Sequence, residues 1–224
     1  MSDSSDDLLS ADTLSLVSSR NSVIDDSSAD QLIDLLVFMR QHERQYCSFS
    51  PHCLFVRYYR AVAANICEMC LYFSYSISTC MVALQYFCRV CSALDVGPSD
   101  LNAISVVCVI LAAKYEERSS KIPSYSNLLH FIPNEFKSAK SLAHWELRVL
   151  SVLQWELHCN TAAHFLNLLL SVLRTSLGSQ FNALQTLALD SLQSLLLWYP
   201  TILTRPSLLA AGVIAAARRM LGVR

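Results

Sequence analysis

Apolar residues recur along most of this chain at three- and four-residue intervals, the period of a helix with one buried face. In 30–45 (DQLIDLLVFMRQHERQ), Leu32, Leu35, Leu36 and Met39 share one stripe behind Asp30, a fair N-cap. Ser50-Pro51 marks a turn and a restart. Two apolar helices follow at 52–72 and 77–93, joined near Phe73–Ser76. Gly97-Pro98-Ser99-Asp100 then stops one helix and starts another, with Pro98 suited to a first turn. That helix runs through AISVVCVILAA (103–113) and ends on Lys114-Tyr115-Glu116-Glu117. A short helix is expected from Ile122-Pro123 to about Phe131. A long one follows from Pro133-Asn134-Glu135 to about Leu157, with Asn134 as its cap. The second half predicts helices at 161–176, 180–198 and 206–221, with Gly178 between the first two. Pro200 and Pro206 bracket a loop before the last.

The pattern predicts an all-α protein whose short connections pack the helices into one compact body. The 103–113 segment is apolar on every side, as a helix in the middle of a bundle must be. PSDLNA (98–103) and PSLLAA (206–211) both open such a helix. The helices turn basic at Lys114 and at Arg218-Arg219, so two copies of one helical unit would explain the order.

Composition narrows the chemistry. Only four of 224 residues are glycine, at 97, 178, 212 and 222, so neither GxGxxG nor GxxxxGK[ST] can be formed. Residues 1–30 hold seven aspartates and one arginine, a net −6, leaving sixteen basic and eleven acidic residues, +5, in the rest. That Ser- and Asp-rich stretch (1–29) buries too little apolar surface to offset chain entropy and reads as a disordered acidic tail. Its serines beside Asp are candidate phosphorylation sites. It lacks a basic leader followed by an apolar run, so it is no secretory signal. No run reaches the roughly 18 apolar residues of a membrane span. The expectation is a chain in the nucleus or cytoplasm, off the membrane, and a near-neutral whole gives no electrostatic case for nucleic acid.

The nine cysteines are odd in number and sit inside apolar helices, which argues for reduced thiols. Cys67-x-x-Cys70 and Cys88-x-x-Cys91, 17 residues apart, match a four-cysteine zinc spacing. Neither pair has Gly or Pro inside it, and i, i+3 positions are also plain neighbours on a helix face, so core packing is the favoured reading over zinc. None of the six histidines forms HExxH, and no GxSxG occurs. No motif in the chain asks for catalysis, a cofactor or a metal.

At VVCVILAAKYEERSSKIPSYSNLL (106–129) the chain resembles the cyclin family. Leu111-Ala112-Ala113-Lys114-Tyr115-Glu116-Glu117 is similar to the end of that family's buried third helix, and Ile122-Pro123 to the loop and short fourth helix. Trp145-Glu146-Leu147-Arg148-Val149-Leu150 and Val152–Leu157 are similar to its fifth. Segments 153–170 and 205–219, and the entry Ser50-Pro51 with Arg57-Tyr58-Tyr59, are most similar to J-type members.

The resemblance implies a cyclin fold: one complete five-helix box (50–158) behind an N-terminal helix (30–49), and a partial second box (159–224), which in the family has further helices after residue 221. It implies a non-catalytic subunit, monomeric within a heterodimer, that binds and activates a cyclin-dependent serine/threonine kinase. The alternative is a cyclin-fold adaptor for transcription factors or DNA. The family's interface lysine falls on Lys114, its glutamate on Glu146, and apolar interface positions on Leu111, Tyr115, Leu150 and Leu157. A cation at a helix C-terminus is favoured, and an ammonium can donate to carbonyls at the end of a partner helix. The substrate-docking patch falls on Tyr59, Val62, Ala63 and Ile66, a degenerate version lacking the usual Trp. Arg60 matches a family arginine whose acidic partners are here Asn65 and Cys88.

Overall fold

Small polar side chains set where several helices begin. In the computed structural model, which describes residues 26–43, 54–98, 100–128, 131 and 138–222, every regular element among the described residues is helical. They are α1 (Asp26–Gln41), α2 (Leu54–Tyr72), α3 (Ile77–Ala93), α4 (Leu101–Glu116), α5 (Tyr125–Leu128), α6 (Ala139–Val152), α7 (Ala162–Leu177), α8 (Phe181–Leu195), α9 (Pro200–Leu203) and α10 (Pro206–Met220). Short 3₁₀ turns lie at Ser119–Lys121 and Gly178–Gln180. Ser76 Oγ accepts from the Thr79 amide (3.2 Å) ahead of α3, and Ser138 Oγ from the Ser141 amide (3.0 Å) ahead of α6. Thr161 and His164 form a capping box on α7, and Pro206 takes the first position of α10.

Several boundaries differ from expectation. The first helix begins at Asp26, inside the acidic stretch, where a carboxylate suits a helix start. Pro98 stays in the turn before α4, where the Asp100 amide donates to Gly97 O (3.1 Å). The expected cap Asn134, and residues 1–25 of the acidic tail, lie outside the described residues. Pro200 opens the short helix α9 instead of bounding a loop, its fixed φ suiting a first turn. Thr201 Oγ1 is satisfied there by Leu195 O (2.6 Å).

Two helices end in the same way. Past α2, the Tyr75 amide donates to Cys70 O (2.8 Å) and the Ser74 amide to Leu71 O (3.1 Å). Past α6, the Trp155 amide donates to Leu150 O (3.0 Å) and the Gln154 amide to Ser151 O (3.1 Å). Both are Schellman closures, and they place Ser74 (φ 54°) and Gln154 (φ 55°) in the left-handed region that glycine usually fills. Trp155 (φ 60°) shares that conformation.

The chain divides into two bodies, not the single one the short connections suggested. One comprises Arg44–Cys159 with Gln193–Leu203. The other comprises Met1–Glu43, Asn160–Leu192 and Thr204–Arg224. In the first body, α4 is buried continuously from Ala103 to Ala113 and is flanked by α2, α3 and α6. Its buried Ser105 hydroxyl donates to Asn102 O (2.7 Å) and accepts from Asn65 Nδ2 (3.2 Å). The late segment belongs to this core too. The buried Tyr59 hydroxyl donates to Leu196 O (2.7 Å), and the Tyr59 and Tyr199 rings meet edge-on at 5.5 Å. In the second body α10 and α1 pack on α7. Glu43 caps α10 through the Ser207 amide (2.9 Å) and hydroxyl (2.8 Å), and Asn160 Nδ2 donates to Met39 O (3.4 Å). No helix among the described residues is long and apolar enough to cross a membrane.

Candidate partner-binding ledge

The last turn of α4 and the outer face of α6 lie side by side. Lys114 comes at the first exposed position after the buried run of α4, where the helix dipole favours a cation. Its ammonium pairs with the carboxylate of Glu146 on α6, 32 positions away in sequence. The lysine is half in solvent and the glutamate largely covered. Leu111, one turn before Lys114, and Leu150, one turn after Glu146, are both buried. Tyr115 is 45% exposed, and its hydroxyl lies 3.2 Å from His158 Nδ1. Burial, together with nearby Glu116, pushes its phenol up from its ordinary value. Leu157 is half-buried, and its carbonyl accepts from the Tyr86 hydroxyl (2.6 Å).

An arginine-based support holds the end of this ledge. Arg89 of α3 donates to Glu156 O (2.7 Å) and Leu153 O (3.2 Å), and its guanidinium lies 3.8 Å from the Glu156 carboxylate. These carbonyls follow the end of α6, where a cation is favoured. The turn leaves Trp155 65% exposed directly after the Leu150 closure, and Leu147 beside Glu146 is 59% exposed. Neither was singled out from sequence. Their signal was adjacency to Glu146 and Leu157 in motifs already quoted, but exposure depends on the left-handed turn, which no glycine announces.

At the other end of the α4 loop, Glu117 accepts from the Ser76 amide (2.9 Å), the Thr79 hydroxyl (2.8 Å) and Lys121 Nζ (3.0 Å). Burial alone would raise this carboxyl, but the three donors outweigh it and hold the pKa at about 2.

The family profile described as "Cyclin, N-terminal domain" matches residues 34–158, more than half the chain and all of the ledge. The chain belongs to the cyclin family. It is similar to a Cyclin-D of Ostreococcus tauri, 29% identical over 172 residues, 71% of this chain and 46% of that protein. It is similar to the human G1/S-specific cyclin-D3, 32% identical over 147 residues, 63% of this chain and 47% of the relative. Human Cyclin-J is 32% identical over 81 residues, 34% of this chain and 22% of the relative. The chain thus spans about half, or less, of these curated relatives. J-type relatives are present as the sequence suggested, and D-type relatives match a longer stretch at equal identity.

Seen as a cyclin, the chain buries the positions of the degenerate substrate-docking patch: Tyr59, Val62, Ala63 and Ile66 are none of them more than 4% exposed. Their i, i+3, i+4, i+7 spacing is the inward stripe of α2, which packs on α3 and α4. Arg60 is exposed on the same helix, Asn65 bonds Ser105 instead of answering it, and Cys88 is buried in α3. The two CxxC pairs do not converge. The nearest thiol to Cys67 in hydrogen-bond terms is Cys80 of α3, at 3.5 Å, and no group of three or more metal-capable side chains gathers among the described residues.

Proposed function

We propose that this cyclin is a non-catalytic regulatory subunit, monomeric within a heterodimer, that binds and activates a cyclin-dependent serine/threonine kinase through the α4–α6 ledge. The observation that carries the reading is the Lys114–Glu146 pair, bridging two helices of the cyclin box beside exposed Tyr115, Leu147 and Trp155. An ammonium has three donors. Lys114 can therefore hold Glu146 and still meet carbonyls at the end of a partner helix. The charge pair would fix register, and the aromatic and aliphatic groups around it would supply apolar area, in the division of labour usual at interfaces. Activation requires no bond chemistry from this chain. A subunit that binds one position of a mobile kinase helix more tightly than another shifts the kinase toward that position.

The test is titration of the full chain against a panel of purified cyclin-dependent kinases, with phosphate transfer to a peptide as the second readout. Lys114→Glu and Glu146→Lys should each weaken the cognate complex roughly tenfold or more, as expected for charges buried on binding. Lys114→Met should change stability of the free chain by only about 0–1 kcal/mol, because the lysine is exposed. Unchanged kinase affinity in both charge-reversal variants, with fold intact, defeats the assignment.

A further inference from the structure

Away from the ledge, two thiols meet where α2 and α3 pack. Cys67 Sγ lies 3.5 Å from Cys80 Sγ, and Cys70 lines the cleft beside them. Cys70 and Cys80 are buried, whereas Cys67 is only partly covered. The thiols line a small cleft of about 50 Å³ with Leu71, Ile77 and Leu196 among its walls. A space of that size admits a molecule little larger than water.

We propose that Cys67 and Cys80 are a modification site for small hydroperoxides, closing to a reversible disulfide that ties α2 to α3. The Cys67 thiolate attacks one peroxide oxygen. The O–O bond breaks, water leaves once the departing oxygen takes a proton, and Cys67 becomes a sulfenic acid. The Cys80 sulfur then attacks the Cys67 sulfur, the S–O bond breaks, and the hydroxide leaves as a second water with the proton that Cys80 gave up. Two thiols are oxidised by two electrons, one peroxide is reduced to two waters, and a dithiol restores the starting state. Cys67 acts first because it alone of the three is partly open. The sulfurs must close by about 1.5 Å to reach a bond of about 2.0 Å, and the cleft beside them gives room to rotate. The hydrogen bond to Cys80, and then burial, push the Cys67 thiol up, so the reaction is slow near neutrality and accelerates as pH rises.

The experiment treats the full chain, carrying Cys47→Ser and Cys53→Ser, with hydrogen peroxide, quenches it, alkylates under denaturing conditions and maps peptides without reduction. The expected product joins the Cys67 and Cys80 peptides with loss of two hydrogens. It forms faster at pH 9 than at pH 7 and is reversed by dithiothreitol, while Cys88, Cys91, Cys108 and Cys159 stay alkylatable. The oxidised chain should melt at a higher temperature, and the shift should vanish on reduction. Cys67→Ser and Cys80→Ser should each abolish the product, and Cys70→Ser should leave it, with circular dichroism confirming that each variant is folded. A bond to Cys70 overturns the proposal. So does sulfinic acid at Cys67 without a cross-link, or thiols that remain fully alkylatable.

Discussion

Helices α4 and α10 start from nearly the same six residues, PSDLNA and PSLLAA, and continue in the same small apolar alphabet. Their surroundings differ. Helix α4 is buried without a break from Ala103 to Ala113, with three helices around it. Helix α10 buries only Ala210, Val213, Ile214 and Ala217 against α7, and leaves Leu208, Gly212, Ala215, Ala216 and Met220 exposed. Apolar composition therefore states what a helix can bury, and its neighbours decide how much it does bury. The ends differ as well. The residue after α4 is locked by three donors, while α10 closes on Arg218 and Arg219 at a carbonyl-rich terminus.

The contrast breaks if matched truncations cost the same in both helices. Ile104→Ala, at a fully buried position of α4, should destabilise by about 2–5 kcal/mol. Ile214→Ala, at an edge of α10, should fall at or below the bottom of that range, since neighbouring exposed positions let the site relax. Urea midpoints of the two variants decide it. The next effect in size concerns the lock on α4. Glu117→Gln should cost about 1–3 kcal/mol at pH 6, where a carboxylate with three donors is replaced by an amide. Because the folded pKa is depressed to about 2 from 4.5, this contribution is complete above the unfolded value and fades as pH falls toward the folded one. Wild type and variant should converge in melting temperature between pH 4.5 and 2, and run parallel above pH 6. The smallest effect sharpens the picture of α10. A Cβ at Gly212 meets nothing within 4 Å, so Gly212→Ala should stabilise by about 0.4–1 kcal/mol through the unfolded chain. A loss of stability in thermal melts would mean that this face is covered.

The helices were legible because periodic apolar residues and small polar stops coincide, as at Ser76 and Gly178. What escaped depended on contacts between distant segments. Nothing in the spacing of Lys114 and Glu146 makes them neighbours; the family resemblance picked out both positions, and the geometry joins them. Leu111 and Leu150 sit at the border between core and surface stripes, and periodicity alone cannot divide those two roles. The docking-patch positions pose the same problem: the inward stripe of α2 looks the same as an outward one until α3 and α4 are in place. Trp155 went unnoticed because a left-handed turn without glycine leaves no local mark. The CxxC motif drew attention to i, i+3 partners, although Cys67 meets the thiol of Cys80 on the next helix.

The hydrogen bond from Tyr59 to Leu196 has a practical reach. It joins the first helix of the cyclin box to a carbonyl synthesised 137 residues later. A recombinant fragment trimmed to the matched region, 34–158, would keep the phenol but lose its acceptor. On the ribosome, the Tyr59 hydroxyl can meet this acceptor only after the chain has passed position 196.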